Sequence, residues 1–319
     1  MKFMIAFFGT LFCCLLVWCG LVFGQSGNPT RMSQWIWDAY KKKQNISSKI
    51  VTKKIVVVAG SNALFGVDSK IVSHAFKMPV LNYGVNAGIE LPLTLYEAKK
   101  VIRSSDIVLM PLEFDMYSYD GTAGVQMIDY LFSREPSFFW ELSLYEQFYM
   151  LWHMDVQRVY RGYFYRGGKR VVRGLYGSHH IDENGDQINT TLKYKKKWME
   201  DALKKHMLNP EKYGESFDRN ALGWKYLQKF VKWCKARDAR VIFMPSTLMK
   251  SESYFRNAKE KWFYENLANE VRKKGFVYVG KPYEYMYDIS NYFNTNFHLT
   301  NKARKMRTLQ MVQDLKKII

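Results

Sequence analysis

The sequence predicts an α/β protein: a three-layer α/β/α domain around a five-stranded parallel, flavodoxin-like sheet. An N-terminal transmembrane helix precedes it, and a large insertion separates strands 3 and 4. Three observations predict this. Short apolar runs alternate with amphipathic helical patterns over residues 54–111 and again over 222–315, the signature of parallel strands joined by crossover helices. Residues 3–24 carry no charge. Residues 116–216 break the alternation with an aromatic, basic stretch.

The apolar segment comes first. At a rise of about 1.5 Å per residue, it spans a hydrocarbon core of about 30 Å. Val22-Phe23-Gly24 would also serve as a signal-peptide cleavage site; the length and the bulky Trp18 and Phe23 favour an uncleaved anchor. Basic residues follow it (Arg31, Lys41, Lys42, Lys43) and oppose the positive-inside expectation. Long domains translocate largely regardless of such charges, so the bulk of the chain is expected outside the cytoplasm. Cys13, Cys14 and Cys19 lie in the apolar segment, leaving Cys234 alone in the globular part, with no intradomain disulfide and no cysteine metal site. Cys19 follows Trp18, which argues against a lipoprotein signal. Residues 25–53 read as a juxtamembrane segment whose Trp35, Trp37 and Tyr40 suit an interfacial belt or packing on the domain;.

The domain then runs from 54 to 319. Its first strand, 54–59, ends at Gly60, with Ser61 and Asn62 in the turn and Asp68 or Ser69 able to cap the next helix;. A second strand at 79–82 opens into a loop with Gly84, Asn86 and Gly88. Leu95, Ala98 and Ile102 stripe a helix before the third strand, 106–111, which ends near Glu113;. In the insertion, Asp182-Glu183-Asn184-Gly185-Asp186 reads as a hairpin turn. Its acidic spacing lacks the glycine position and downstream glutamate of a calcium loop. Arg158, Arg161, Arg166, Lys169, Arg170 and Arg173 interleave with Tyr160, Tyr163, Phe164 and Tyr165. Alternation resumes with a helix striped by Leu222, Tyr226, Phe230 and Cys234, a strand at 240–245, and a helix striped by Phe263, Leu267 and Val271 that stops at Gly275;. A fifth strand, 276–279, and a loop through His298 lead to a helix carrying Leu309, Val312 and Leu315.

In a flavodoxin-like order 2-1-3-4-5 the crevice opens between strands 1 and 3. Ser61 lies at that switch point, and the loops bearing Gly84, Glu113 and His298 open on the same edge. A serine hydroxyl needs a base to take its proton. Of six histidines, His298 alone follows the last strand; His179 and His180 are too close in sequence to suggest a metal site.

Gly60-Ser61-Asn62, Asn82-Tyr83-Gly84 and the run from Asn294 to Thr300 resemble three blocks of the SGNH (GDSL-like) hydrolase superfamily. The string from Gly60 through Gly66-Val67-Asp68-Ser69, behind an anchor, is similar to a branch that works beside membrane-bound O-acyltransferases in lipoteichoic-acid D-alanylation and exopolysaccharide O-acetylation. The resemblance implies Ser61 as acyl-accepting nucleophile and His298 as its base and later acid. It implies an oxyanion hole from the amides of Ser61 and Gly84, with Asn62, Asn86 and Glu113 lining the site. Two departures stand out. Pro111-Leu112-Glu113 replaces the Gly-x-Asn block, a loss worth roughly 10²–10³ in rate if nothing substitutes. The acid before the histidine is missing, leaving Asp288 or Asn294 as third member.

The resemblance implies O-acyl transfer to a surface glycan with a membrane-bound O-acyltransferase as partner. An esterase, or a non-catalytic glycan-binding or membrane partner, is the alternative. The net charge of +19 suits an anionic partner;. Nucleic acid is set aside because a membrane segment is present and no nucleic-acid motif is. No P-loop or Gly-x-Gly-x-x-Gly occurs, so no cofactor is expected.

Overall fold

The computed structural model describes residues 1–164 and 174–319. Tyr165, Arg166, Lys169, Arg170 and Arg173 of the basic, aromatic stretch lie outside the described residues. The chain forms two units, Met1–Trp37 with Gly121–Val172 and Asp38–Asp120 with Arg173–Ile319. In chain order, helices α1 (Lys2–Gly24) and α2 (Arg31–Lys49) precede strand β1 (Ile55–Val57). Next come α3 (Ser61–Gly66), α4 (Ser69–Phe76), β2 (Val80–Asn82), α5 (Glu90–Lys99) and β3 (Ile107–Met110). The former insertion holds α6 (Val125–Arg134), α7 (Leu144–Trp152), α8 (Val156–Phe164) and α9 (Lys197–Leu208). After it stand α10 (Leu222–Lys235), β4 (Arg240–Phe243), β5 (Leu248–Met249), α11 (Ser253–Arg256), α12 (Ala258–Lys273), β6 (Met286–Tyr287) and α13 (Asn301–Leu315).

The larger unit is a mixed α/β structure on a parallel sheet ordered β2-β1-β3-β4. Val57 stands level with Asn82 on one side and Leu109 on the other. Ile55, Val56 and Val57 are wholly buried, as a strand covered on both faces requires. A buried ion pair, Lys54 Nζ to Asp106 Oδ2 at 2.6 Å, ties β1 to β3 at their leading ends.

The sheet has four strands, not five. Residues 276–279 make one isolated parallel bridge, Phe243 with Tyr278, through bonds from the Phe243 amide to Val277 O and from the Val279 amide to Phe243 O. Gly275 and Gly280, at φ of +82° and +81°, turn the backbone out of the extended conformation on either side of that bridge, and Pro282 beyond has no N–H to offer. A separate parallel pair, β5 with β6, was not foreseen.

Helix α13 packs on α3 and α4, and α10 on α5 and β4. The inward stripe of α13 is Ala303, Arg307, Met311 and Leu315, while Leu309 faces solvent. The predicted hairpin at Asp182–Asp186 forms, with Ile181 bridged to Gln187. It docks on the edge of β2, where the Asn82 amide donates to Asn184 O at 2.8 Å. Gly185 has a φ of +91°, and a Cβ there would lie 2.3 Å from Asn82 O, so only glycine fits;.

The segment 25–53 is not merely a juxtamembrane tether. Lys43 of α2 is wholly buried, and its ammonium donates to Asn82 O at 2.8 Å and Gly84 O at 2.5 Å. Burial pushes it down to about 7;. The second half of α2 thus belongs to the sheet unit.

In the smaller unit, α1 is long and apolar enough to cross a membrane. Phe23 near its end stacks on Trp140 and meets Phe132 and Phe139. Beneath, the buried Arg158 guanidinium pairs with Asp129 at 3.2 Å and donates to Ser133 Oγ at 2.8 Å.

Candidate active site

The site begins where β1 ends. Gly60 has ordinary backbone angles, φ −82° and ψ −143°, so no left-handed turn demands glycine. Close approach does: a Cβ there would lie 2.6 Å from both the Ala87 amide nitrogen and Glu113 Oε1. Helix α3 then starts directly at Ser61, and Asp68 caps α4 by accepting from the Ile71 amide.

Two buried charges grip this turn. Glu113, 2% exposed, accepts from the Gly60 amide at 2.9 Å and the Asn62 amide at 3.0 Å. Arg307 of α13 donates to Asn62 O and Asn62 Oδ1, each at 3.0 Å, and to Pro245 O at 3.3 Å. The Asn62 amide group donates in turn to Pro111 O at 2.8 Å. Asn62 is therefore tied inward as a structural link, and Glu113 shapes the turn instead of lining an open cavity. The Ser61 hydroxyl, half-buried, has no hydrogen-bond partner among the described residues.

The loop after β2 closes the second side. Gly84 was expected to supply an oxyanion donor, but its amide is already given to Asn82 Oδ1 at 3.1 Å. It packs so closely that a Cβ would lie 2.6 Å from Gly60 O. Asn86 caps a single 3-10 turn, Ala87–Ile89, by accepting from the Gly88 amide. The first residue of a helical turn keeps a free N–H. Ser61 and Ala87 are both such residues, and the Ala87 nitrogen lies against Gly60. Neither amide has a hydrogen-bond partner among the described residues, whereas that of Gly84 is taken.

Asn82 holds the loop from below. Its amide group donates to Ala63 O and to Asp186 Oδ1, each at 2.8 Å. Asp186 also accepts from the amide and hydroxyl of Ser69 at 2.7 Å each. Burial pushes the Asp186 carboxyl up to about 6;.

The third side carries the imidazole. Residues 292–299 fold back on themselves, with Tyr292 bridged to Leu299 and Thr300 capping α13. His298 stacks on Phe65, one turn after Ser61, with ring centres 4.0 Å apart and 7° between planes. Its Nδ1 lies 2.8 Å from Asn294 Oδ1. The Asn294 Nδ2 donates to the Tyr176 hydroxyl at 2.9 Å, so Oδ1 must accept from Nδ1–H. That fixes the tautomer and leaves Nε2 with its lone pair. Asp288 sits at the exposed start of a 3-10 turn and makes no bond to the buried imidazole; Asn294, not Asp288, holds its Nδ1. Beyond it, Asn296 Nδ2 donates to Glu211 Oε2 at 2.8 Å, and Glu211 Oε1 lies 3.2 Å from His206 Nδ1. No hydrogen bond joins Ser61 to His298. Such contacts commonly tighten only with substrate bound.

Burial, reinforced by the charge of His206, pulls His298 down to about 3. The unfolded imidazole titrates near about 6.5, so between these values unfolding takes up a proton. Stability is thus complete above the unfolded value and falls as pH drops toward about 3, by up to about 1.4 kcal/mol per pH unit;. His298→Phe should flatten that slope in urea unfolding series run across pH. An unchanged slope would assign the acid sensitivity elsewhere.

Arg307, Phe65, Tyr176, Lys43 and Asp186 escaped the sequence reading. Only Arg307 left a signal: it interrupts the four-residue stripe of Ala303, Met311 and Leu315. Among the described residues no group of three or more His, Cys, Asp or Glu side chains converges to hold a metal ion. Compared with known protein families and curated proteins, the chain matches none.

Proposed function

We propose that this is an SGNH-type serine acyltransferase on a flavodoxin-like fold, with residues 276–279 standing in for the fifth strand. It moves an acetyl-like group to a hydroxyl of a surface glycan, outside the cytoplasm, with a membrane-bound O-acyltransferase as partner. The observation that carries this reading is the imidazole of His298. It stacks one helical turn from the uncommitted Ser61 hydroxyl, and Asn294 holds its Nδ1. Ser61 Oγ attacks the acyl carbonyl while His298 Nε2 takes its proton, and the oxyanion is received by the amides of Ser61 and Ala87. The proton passes to the leaving group as the acyl–serine ester forms. A sugar hydroxyl then attacks that ester, giving its proton to His298, and the serine regains it. With water in place of the sugar, the same steps make an esterase.

An asparagine where a triad acid would stand, together with the missing Ser61–His298 bond, favours a second reading: a non-catalytic glycan-binding or membrane partner that keeps the fold. Aryl acetate turnover by the full chain, with and without a sugar acceptor, separates the three. Turnover that rises with acceptor, with acetyl mapped to Ser61 by mass spectrometry, is the result expected of the transferase. Acceptor-independent turnover identifies an esterase. Neither turnover nor fluorophosphonate labelling of Ser61 would leave the non-catalytic reading.

A further inference from the structure

Trp140, Leu144, Phe148, Trp152, Val156, Tyr160 and Phe164 recur at every fourth position, and each is exposed, from 57% at Tyr160 to 83% at Leu144. The repeat begins in a 3-10 turn at Pro136–Glu141 and runs on through α7, the break at 153–155 and α8. The same helices bury Met150, Arg158 and Val159, and the break between them buries Met154. Folding the unit does not cover this face. Phe148 stacks on Trp152, and Tyr160 packs on Phe164; so much exposed apolar surface is rarely left to water without a partner.

Its position relative to α1 says which partner. The Trp18 indole donates to Leu151 O at 2.9 Å, the Tyr163 hydroxyl donates to Leu21 O at 3.0 Å, and Phe23 stacks on Trp140. Trp18 stands 16 residues beyond Lys2 (18 − 2), about 24 Å along the helix axis. With a hydrocarbon core of about 30 Å, residues 18–23 reach its far boundary. The stripe is thus fastened to the stretch of α1 where headgroups meet acyl chains, the depth at which tryptophan and tyrosine concentrate.

We infer that the exposed face of α7 and α8 lies in the lipid interface, a second membrane contact beside α1; this rests on α1 crossing the bilayer. The occupant is phospholipid. The helices lie along the surface with their aromatic side chains about 5–10 Å into the headgroup–acyl boundary, as interfacial amphipathic helices do.

The test uses the full chain in phospholipid vesicles, with Cys13, Cys14 and Cys19 replaced by alanine; Cys234 is buried and does not react. Single cysteines carrying the fluorophore NBD are placed by Phe148→Cys, Val156→Cys, Lys229→Cys on the exposed face of α10, and Leu11→Cys within α1. Emission from positions 148 and 156 should shift to the blue. Nitroxide lipids spin-labelled near the headgroup should quench it about threefold more than at position 229. Position 11 should respond most to nitroxide deep in the acyl chain. If positions 148 and 156 behave like 229 while 11 is quenched, α1 spans but the stripe is not in lipid, and a protein partner covers it. If 11 is also unquenched, the spanning reading falls, and this inference with it.

Discussion

Asn294→Asp is expected to raise the rate of acyl–serine formation by as much as about 10⁴-fold, the factor lost when a triad aspartate becomes asparagine. The replacement is nearly isosteric. One oxygen keeps the bond to Nδ1–H of His298, now 2.8 Å from Asn294 Oδ1. The other faces the Tyr176 hydroxyl, which at present accepts from Nδ2 at 2.9 Å and, as a phenol, can donate to a carboxylate. A carboxylate there raises the affinity of the imidazole for a proton, strengthening it as the base that frees Ser61. The native imidazole, held down to about 3, stays unprotonated at ordinary pH, so its rate has no acid limb from this group. The variant gains one: below its raised value the ring is charged and accepts nothing.

The same logic sets the size of the Ser61→Ala effect. Removing the serine of a complete triad costs about 10⁶-fold because its members act as a unit. With the acid's share of about 10⁴ already absent, Ser61→Ala should cost only about 10² in the native chain and about 10⁶ in the Asn294→Asp background. Aryl acetate turnover across pH measures all four proteins. An unchanged rate in Asn294→Asp would remove His298 as the proton acceptor. Since the Ser61 hydroxyl has no hydrogen-bond partner among the described residues, stability should change by less than about 0.5 kcal/mol in Ser61→Ala.

Glu113→Ala should behave in the opposite way, costing about 3–5 kcal/mol in urea unfolding. Both carboxylate oxygens are committed to amides of the serine turn. Their loss strands two buried N–H groups and removes one negative charge, the last of several influences that favour the wholly buried Arg307 guanidinium. Glu113→Gln retains one acceptor and should cost about 1–3 kcal/mol, the penalty of one unmet buried donor. Pairing Glu113→Gln with Arg307→Met should cost less than the two changes summed, since both grip Asn62 and changes within one network are not additive;. A loss below about 1 kcal/mol in Glu113→Ala would mean that the turn holds its shape without this carboxylate.

The parts of the fold that could be read in the sequence were those written in its apolar periodicity. Uninterrupted runs marked β1, β3 and β4, and a glycine-ended run marked the serine turn. Segment 276–279 looked like its neighbours because composition does not reveal how many ladder bonds fit between two glycines. The stripe from Trp140 to Phe164 was legible as a period of four but was masked by aromatics at intervening positions such as Tyr145 and Tyr149.

At the candidate site, sequence position brought Ser61, Gly84, Glu113 and His298 to one region, yet it could not say which atoms remained unspent. Gly84 gives its amide to Asn82, and Ala87 keeps its own. Asn294 and Asp288 were equal candidates by spacing; only the fold-back of 292–299 separates them. Lys43 counted as a membrane-proximal charge because nothing local announces that its neighbours in space are carbonyls forty residues away.

The bond from Arg307 to Asn62 joins residues 245 positions apart. During synthesis the serine turn emerges early, but the guanidinium that braces it arrives only after nearly all of the sheet has been made. Contacts this distant in sequence form late, after the loop they close has been ordered. A half-made chain therefore carries a serine turn that still lacks its guanidinium brace, and on the proposed reading the nucleophile would be set only once residue 307 has been added.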